Sequence, residues 1–269
     1  MCGRYTLHLA DLARLVGLLS VKRVLVTSWQ PRYNIAPTQL APVVLTRERT
    51  AERSLELLRF GLVPGYARRQ AAASGKAPST LVNARAETVA KLGAFRGAYA
   101  RRRCVVPATG FYEWLPAEGR RPKQPMWIHP TQDEPLAFAG IYEPGVDEHG
   151  ELVETFAIVT TEPTQELREI HDRMPLVLGR AGVERWLQAG ELSEGALASL
   201  TGEVGEVGLA FEPVSSIVSS PRNDDPRCIE PLAAHAGSVE PSQGGGQLEL
   251  FGDREDALRV LTSVKRRAH

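Results

Sequence analysis

The sequence is short of several things, and each shortage removes a class of protein. Three of its 269 residues are cysteines: Cys2, Cys104 and Cys228. An odd number, without the close spacing of metal ligands, argues against a disulfide framework and against a zinc site. It fits a reducing, cytoplasmic compartment. Net charge is missing too, because 32 Lys+Arg balance 32 Asp+Glu. A polyanion-binding surface, if present, must then be a local patch rather than a property of the whole chain. No apolar run is long enough to span a bilayer, and the start lacks the basic-then-apolar order of a secretion signal. Neither membrane insertion nor export is expected, and no internal repeat points to a solenoid.

What is present suits a sizeable core, with hydrophobic residues making up 43% of the chain. Strand-like runs dominate: "APVVLTR", "SLELLRFGLV", "RCVVPA", "FYEWLP", "QPMWIH", "LAFAGIYE", "TFAIVTT" and the late "FEPVSSIVSS". Helical spacing is limited to residues 9–19, 86–100, 164–170 and 181–190. Many strands with few short helices predict an α+β fold: a single domain around a largely antiparallel, barrel-like β-sheet. The basic stretch "RRQAAASGKAPS", residues 68–79, reads as a mobile inserted loop. After residue 232 the composition turns small, polar and glycine-rich. A domain at 2–232, a flexible linker at 233–246 and a separate amphipathic tail at 247–269 are expected.

Four polar features stand out. Cys2 lies directly behind the initiator methionine, where its small side chain predicts removal of Met1 and an α-amine next to a thiol. Asn83 and Arg85 in "LVNARAET" follow an apolar pair and precede a helix. Glu113 in "GFYEW" sits among aromatics on a strand. His171 and Arg173 in "IHDRMPLVL" occupy a break between a helix and a strand. Taken singly, each has an ordinary explanation. Asn83 can cap a helix, Glu113 can face water from an alternating strand, and His171 can pair with Asp172.

Taken together with "MCGRYTL", "RYNIAPTQ", "LRFGLVPGYA", "RRCVVPATGFYEW" and "PVSSIVSSPRNDDPRCIEP", they resemble the SRAP family, the SOS response-associated peptidase proteins that process abasic sites in single-stranded DNA. The words occur in the family's order over residues 2–232. One departure is visible: Phe60-Gly61 stands where the family commonly has Trp-Gly, and Tyr66 and Ala67 where tryptophans often follow. A smaller stacking surface for DNA is expected there.

The resemblance implies a chemistry for the opening cysteine. An abasic deoxyribose opens to an aldehyde, which an amine captures as an imine with loss of water. A thiol on the adjacent carbon then adds to that imine and closes a five-membered thiazolidine, a stable DNA–protein crosslink. By resemblance, Cys2, Asn83, Glu113 and His171 are the catalytic residues. Cys2 is the trap, Asn83 orients its terminus and the opened sugar, Glu113 is the general acid–base, and His171 assists at the sugar or its 3′ phosphate. Strand cleavage and crosslink reversal go with the same group. Arg4, Asn34, Pro37, Arg85 and Arg173 are the expected DNA-binding residues, and "ARRRC" at 100–104 offers further positive charge. No metal or other cofactor is expected, and a monomer near the nucleoid is.

The tail carries its own word. "QLELF", Gln247, Leu248, Leu250 and Phe251 with Glu249 between them, resembles the pentapeptide by which bacterial repair proteins dock on the DNA sliding clamp. The competing reading is a small helix packed back on the domain. Two other functions stay open at this point: an N-terminal-nucleophile amidohydrolase, which uses the amine as a base, and a non-catalytic reader of single strands.

Overall fold

The computed structural model describes residues 2–9, 12–47, 50–116, 123–146, 151–190, 192–204 and 207–232. The strands are β1 (Tyr5–Leu7), β2 (Arg23–Val24), β3 (Arg32–Ile35), β4 (Leu40–Thr46), β5 (Arg53–Phe60), β6 (Asn83–Arg85), β7 (Arg103–Ala108), β8 (Gly110–Leu115), β9 (Gln124–Pro130), β10 (Leu136–Val146), β11 (Leu152–Thr161), β12 (Met174–Pro175) and β13 (Leu209–Pro213). The helices are α1 (Ala13–Leu18), α2 (Gly65–Ser74), α3 (Ala86–Val89), α4 (Arg96–Arg101), α5 (Arg180–Leu187) and α6 (Glu194–Gly202).

Five of the strands close on themselves in the order β5-β4-β7-β10-β11. Neighbours along that path are antiparallel, and the ring is sealed by a parallel contact, Thr155 opposite Arg59 and Phe156 opposite Phe60. An odd number of strands cannot alternate direction all the way round, so one parallel seam is obligatory. Closure removes the sheet edges that an open sheet would have to protect. Along its seam edge β11 first holds β5 and then β6, with Ile158 opposite Asn83 and Thr160 opposite Arg85. Its other edge carries β10 and then β12. Gly61 makes the step off β5 possible. Its φ of +106° is a conformation that L side chains rarely adopt, and its N–H bonds Phe156 O at 2.9 Å.

A second sheet, β13-β9-β8-β1-β3, packs on the barrel. The joint is aromatic. Tyr5 meets Phe60 and Phe138 edge-on at 5.6 and 6.4 Å, Phe111 meets Phe138 at 5.8 Å, and Phe60 stacks on Phe156 at 5.1 Å. All five rings are fully buried. The outer face of this sheet carries a smaller core, in which Tyr112 packs with Val214, Val218 and Cys228. Strand alternation on β8 therefore sends Phe111 and Glu113 inward and Tyr112 and Trp114 outward.

Several local expectations are corrected. Residues 68–79 are not a loop for most of their length. Ala71, Ala72 and Ala73 carry α2 through Ser74, and Gly75 ends it in the left-handed conformation with its N–H on Ala71 O. The helix expected at 86–100 breaks into α3 and α4, with turns around Gly93 between them. The helix expected at 9–19 shrinks to α1, and that at 164–170 to a single 3-10 turn at Leu167–Glu169. The late strand stops at Pro213, and Ser215 caps a 3-10 turn at Ser216–Ser219 instead. Among the described residues no helix is long and apolar enough to cross a membrane. Residues 233–269, with Gln247–Phe251, lie outside the described residues.

Candidate active site

Cys2 is fully buried, just ahead of β1, at the joint between the two sheets. Its carbonyl accepts a hydrogen bond from Asn83 Nδ2 at 3.1 Å, and its Sγ lies 3.9 Å from Arg4 O. Asn83 opens β6, and the same Nδ2 also reaches Ile158 O on β11 at 3.5 Å. The position of the cysteine is thus referred to the barrel seam by one amide. The other end of that amide, Oδ1, is buried and meets no hydrogen-bond donor among the described residues.

Glu113 does not face water. It is 2% exposed on the inward side of β8. Burial pushes its carboxyl up to about 7, and the neighbouring Asp172 adds to the rise. Burial also pushes the Cys2 thiol well above the usual thiol range, and the charge of Glu113 adds to that. Burial thus keeps the Cys2 thiol protonated, while the Glu113 carboxyl is held near neutrality. His171 Nε2 lies 3.8 Å from Glu113 Oε2. Burial lowers the His171 pKa, which favours a neutral ring. The main-chain N–H of Arg173 donates to His171 Nδ1 at 3.0 Å, which leaves the ring proton on Nε2, toward Glu113. Asp172 Oδ1 lies 2.9 Å from the same Nδ1 and accepts from it whenever that nitrogen carries a proton.

The five residues expected on DNA divide into three environments. Arg4 and Asn34 belong to a clasp. Arg4 Nη1 donates to Asn34 Oδ1 and Val218 O, and Asn34 Nδ2 donates to Val218 O, Ser220 O and Asn223 O, with Asn34 itself fully buried. Asp224 completes the clasp, accepting from the N–H groups of Tyr33 and Asn34 at 2.5 and 2.8 Å and from Arg32. Pro37 is half-buried in the turn after β3, and Arg85 is exposed at the start of α3. Arg173 is buried and paired: Nη1 and Nη2 donate to the two oxygens of Glu87 at 3.0 and 2.9 Å, and Nη2 also to Thr160 O at 2.7 Å.

The basic run at 100–104 is largely structural. Arg103 is buried and donates to five main-chain carbonyls, and Arg102 reaches Tyr142 O and Glu143. Where the sequence has Tyr66 and Ala67, Ala67 faces the core and Tyr66 is 42% exposed, so a single ring is presented there. Two residues escaped the sequence reading. Asp224 and Glu87 lie inside quoted words, but a carboxylate in a polar stretch gives no sign of which arginine or N–H it will find. A cavity of about 1230 Å³ between α3, α6 and β13 does not include Cys2, Asn83, Glu113 or His171. It includes Glu87 in its wall.

The arrangement brings together a second-position thiol, an amide holding its main chain, and a buried carboxyl beside an imidazole, set between a closed barrel and a second sheet. The chain belongs to the SOS response associated peptidase (SRAP) family, whose sequence profile matches residues 1–221. It is 33% identical to the abasic site processing protein YoaM of Bacillus subtilis, over 86% of this chain and 98% of that protein. It is 30% identical to the abasic site processing protein HMCES of Rattus norvegicus, over 86% of this chain and 76% of that protein. A crystal structure of a protein from Bacteroides thetaiotaomicron shares the fold with a TM-score of 0.69, at 24% identity over 86% of this chain and 99% of that one.

Proposed function

We propose that this protein processes abasic sites in single-stranded DNA, and that Cys2, freed of Met1, captures the ring-opened sugar as a thiazolidine. The observation that carries the reading is the hydrogen bond from Asn83 to the Cys2 carbonyl beside a buried Glu113. It ties the second residue, ordinarily a frayed terminus, to the barrel seam.

In the proposed sequence the α-amine of Cys2 attacks the aldehyde carbon and water leaves as the imine forms. The protonated Glu113 supplies the proton that lets the hydroxyl depart. As a carboxylate it then takes the thiol proton while Sγ bonds the imine carbon, and the imine nitrogen ends as a secondary amine. A carboxyl near 7 exists in both forms at neutral pH, as this alternation requires. Asn83 Oδ1 is the acceptor for a hydroxyl of the opened sugar. His171, 3.8 Å from Glu113, serves the 3′ side of the sugar. Reversal runs the same steps backward. Strand cleavage would follow if the imine loses its 3′ phosphate by elimination before the thiol adds. None of these steps calls on a metal or cofactor.

Arg85 and Tyr66, both exposed, are the phosphate and base contacts of this reading, with half-buried Arg4 and Pro37 as further contacts. Tail residues Gln247, Leu248, Leu250 and Phe251 are the proposed docking motif for a bacterial sliding clamp. The test is incubation with a single-stranded oligonucleotide carrying one abasic site. A gel-shifted, heat-stable adduct is expected. Binding with no covalent product would make the protein a reader, and turnover of glutamine or another amide would make it an amidohydrolase.

A further inference from the structure

Arg173 poses a conflict. A phosphate contact is the role its sequence context implies, yet its side chain is 11% exposed and already paired with Glu87. Each Nη donates to one carboxylate oxygen, Nη2 also serves Thr160 O, and Nε is buried. A phosphate that uses the two-pronged edge of this fork must take the place of the carboxylate. Glu87 is suited to leaving. Its side chain is 46% exposed, and it stands in the first turn of the four-residue helix α3. It is also chemically matched to what would replace it, since carboxylate and phosphate both accept two parallel bonds from a guanidinium.

We propose that Glu87 is a placeholder: in the free protein its carboxylate occupies the seat on Arg173 that a DNA phosphate takes when the substrate binds. The inference rests on the reading of single-stranded DNA as substrate. A buried guanidinium left without a partner is strongly destabilising, so the free protein needs an anion at this position. The exchange keeps Arg173 paired throughout. It leaves the Thr160 bond and the main-chain bond to His171 Nδ1 in place, so the catalytic imidazole is not disturbed when DNA enters. Arg85, exposed two residues before Glu87, is placed to meet the same phosphate or the displaced carboxylate. The arrangement also discriminates: an anion that cannot match the fork does not displace Glu87.

The experiment measures equilibrium binding of the full chain to single-stranded DNA carrying a tetrahydrofuran abasic analogue. The analogue has no aldehyde, so binding is read without capture. Glu87→Gln should bind roughly threefold to tenfold more tightly than wild type, the range expected for removing one partly exposed charge pair. Glu87→Asp keeps the charge but shortens the reach, and should tighten binding by a smaller factor. In an Arg173→Gln background both gains should vanish. Unchanged or weaker binding by Glu87→Gln would mean that Glu87 only positions Arg173, and would overturn the proposal. So would a gain that persists without Arg173, or a gain for Gln with none for Asp, since either is plain charge repulsion. If Glu87→Gln does not fold, the Asp variant and its Arg173→Gln partner decide alone. Wild-type capture of genuine abasic DNA is run beside these. Failure there removes the functional reading, whereas capture with no gain in the variants removes only the placeholder.

Discussion

Asn83 Nδ2 donates to the carbonyl oxygen of Cys2 across 81 positions of sequence, at 3.1 Å. Since β6 is hydrogen-bonded into the barrel seam, this one bond fixes Cys2 against that seam. Asn83→Ala should retain the fold and lose most of the rate of adduct formation, roughly 10²-fold, the usual consequence of misplacing a reacting group by about an ångström. Single-turnover capture of an abasic oligonucleotide, with circular dichroism as the folding control, checks this. Near-wild-type capture would make Asn83 a strand-end residue without a role in the chemistry.

Glu113→Gln should slow both formation and reversal of the adduct by about 10²–10⁴-fold while changing affinity for DNA little. It should also alter stability in a defined direction. A carboxyl pushed up to about 7 binds a proton more tightly folded than unfolded. The folded state therefore gains from protonation at low pH, and that gain is lost as pH rises from about 4.3 to 7, on the order of 3 kcal/mol in total. The Gln variant lacks this loss and should be the more stable protein at pH 8. Denaturant unfolding at pH 5 and pH 8 of both proteins is the measurement.

The strands of the barrel were legible because their alternation and β-branched content survive burial on one or both faces. The site words were legible as a set, through resemblance. Their internal partners were not. Nothing in "RYNIAPTQ" tells that Asn34 is fully buried and committed to Val218, Ser220 and Asn223, because that clasp is made by a segment 184 or more positions away. Glu113 is the reverse case. A glutamate on an alternating strand defaults to solvent, and only the second sheet's packing on the barrel turns its side of β8 inward. The helix expected at 86–100 failed for a local reason at Gly93, and the late strand at Pro213, where turn chemistry overrides periodicity.

Arg103→Ala should be among the most destabilising single changes in the chain. Its guanidinium ties together Tyr99 O, Ala100 O, Trp186 O, Gln188 O and Gly190 O, joining α4 to the end of α5. Removal leaves buried carbonyls without donors, and a loss of roughly 3–5 kcal/mol is expected. Arg103→Lys should recover only part of it, because a point charge cannot serve five acceptors around a planar fork. Thermal or denaturant unfolding measures both, and a cost below about 1 kcal/mol would show the cage to be dispensable.

The tail prediction is separable from the chemistry. Leu250→Ala with Phe251→Ala should abolish binding to the sliding clamp of the organism of origin while capture of free oligonucleotides stays normal. Tethering raises the local concentration of the domain near the strand without any new contact in the site. Loss of capture or of folding in the double variant would mean that the segment is a packed part of the domain. A tail peptide with no measurable affinity for the clamp would mean that the word is accidental.

The central claim is that Cys2 supplies both the amine and the thiol of a thiazolidine. Intact-mass measurement of the heat-stable product, with Cys2→Ala as the comparison, tests it most directly. The account predicts a mass equal to the protein without Met1 plus the DNA less one water, and no stable product from Cys2→Ala or from protein that keeps Met1. An adduct that forms undiminished with Cys2→Ala, or one that retains Met1, would contradict it.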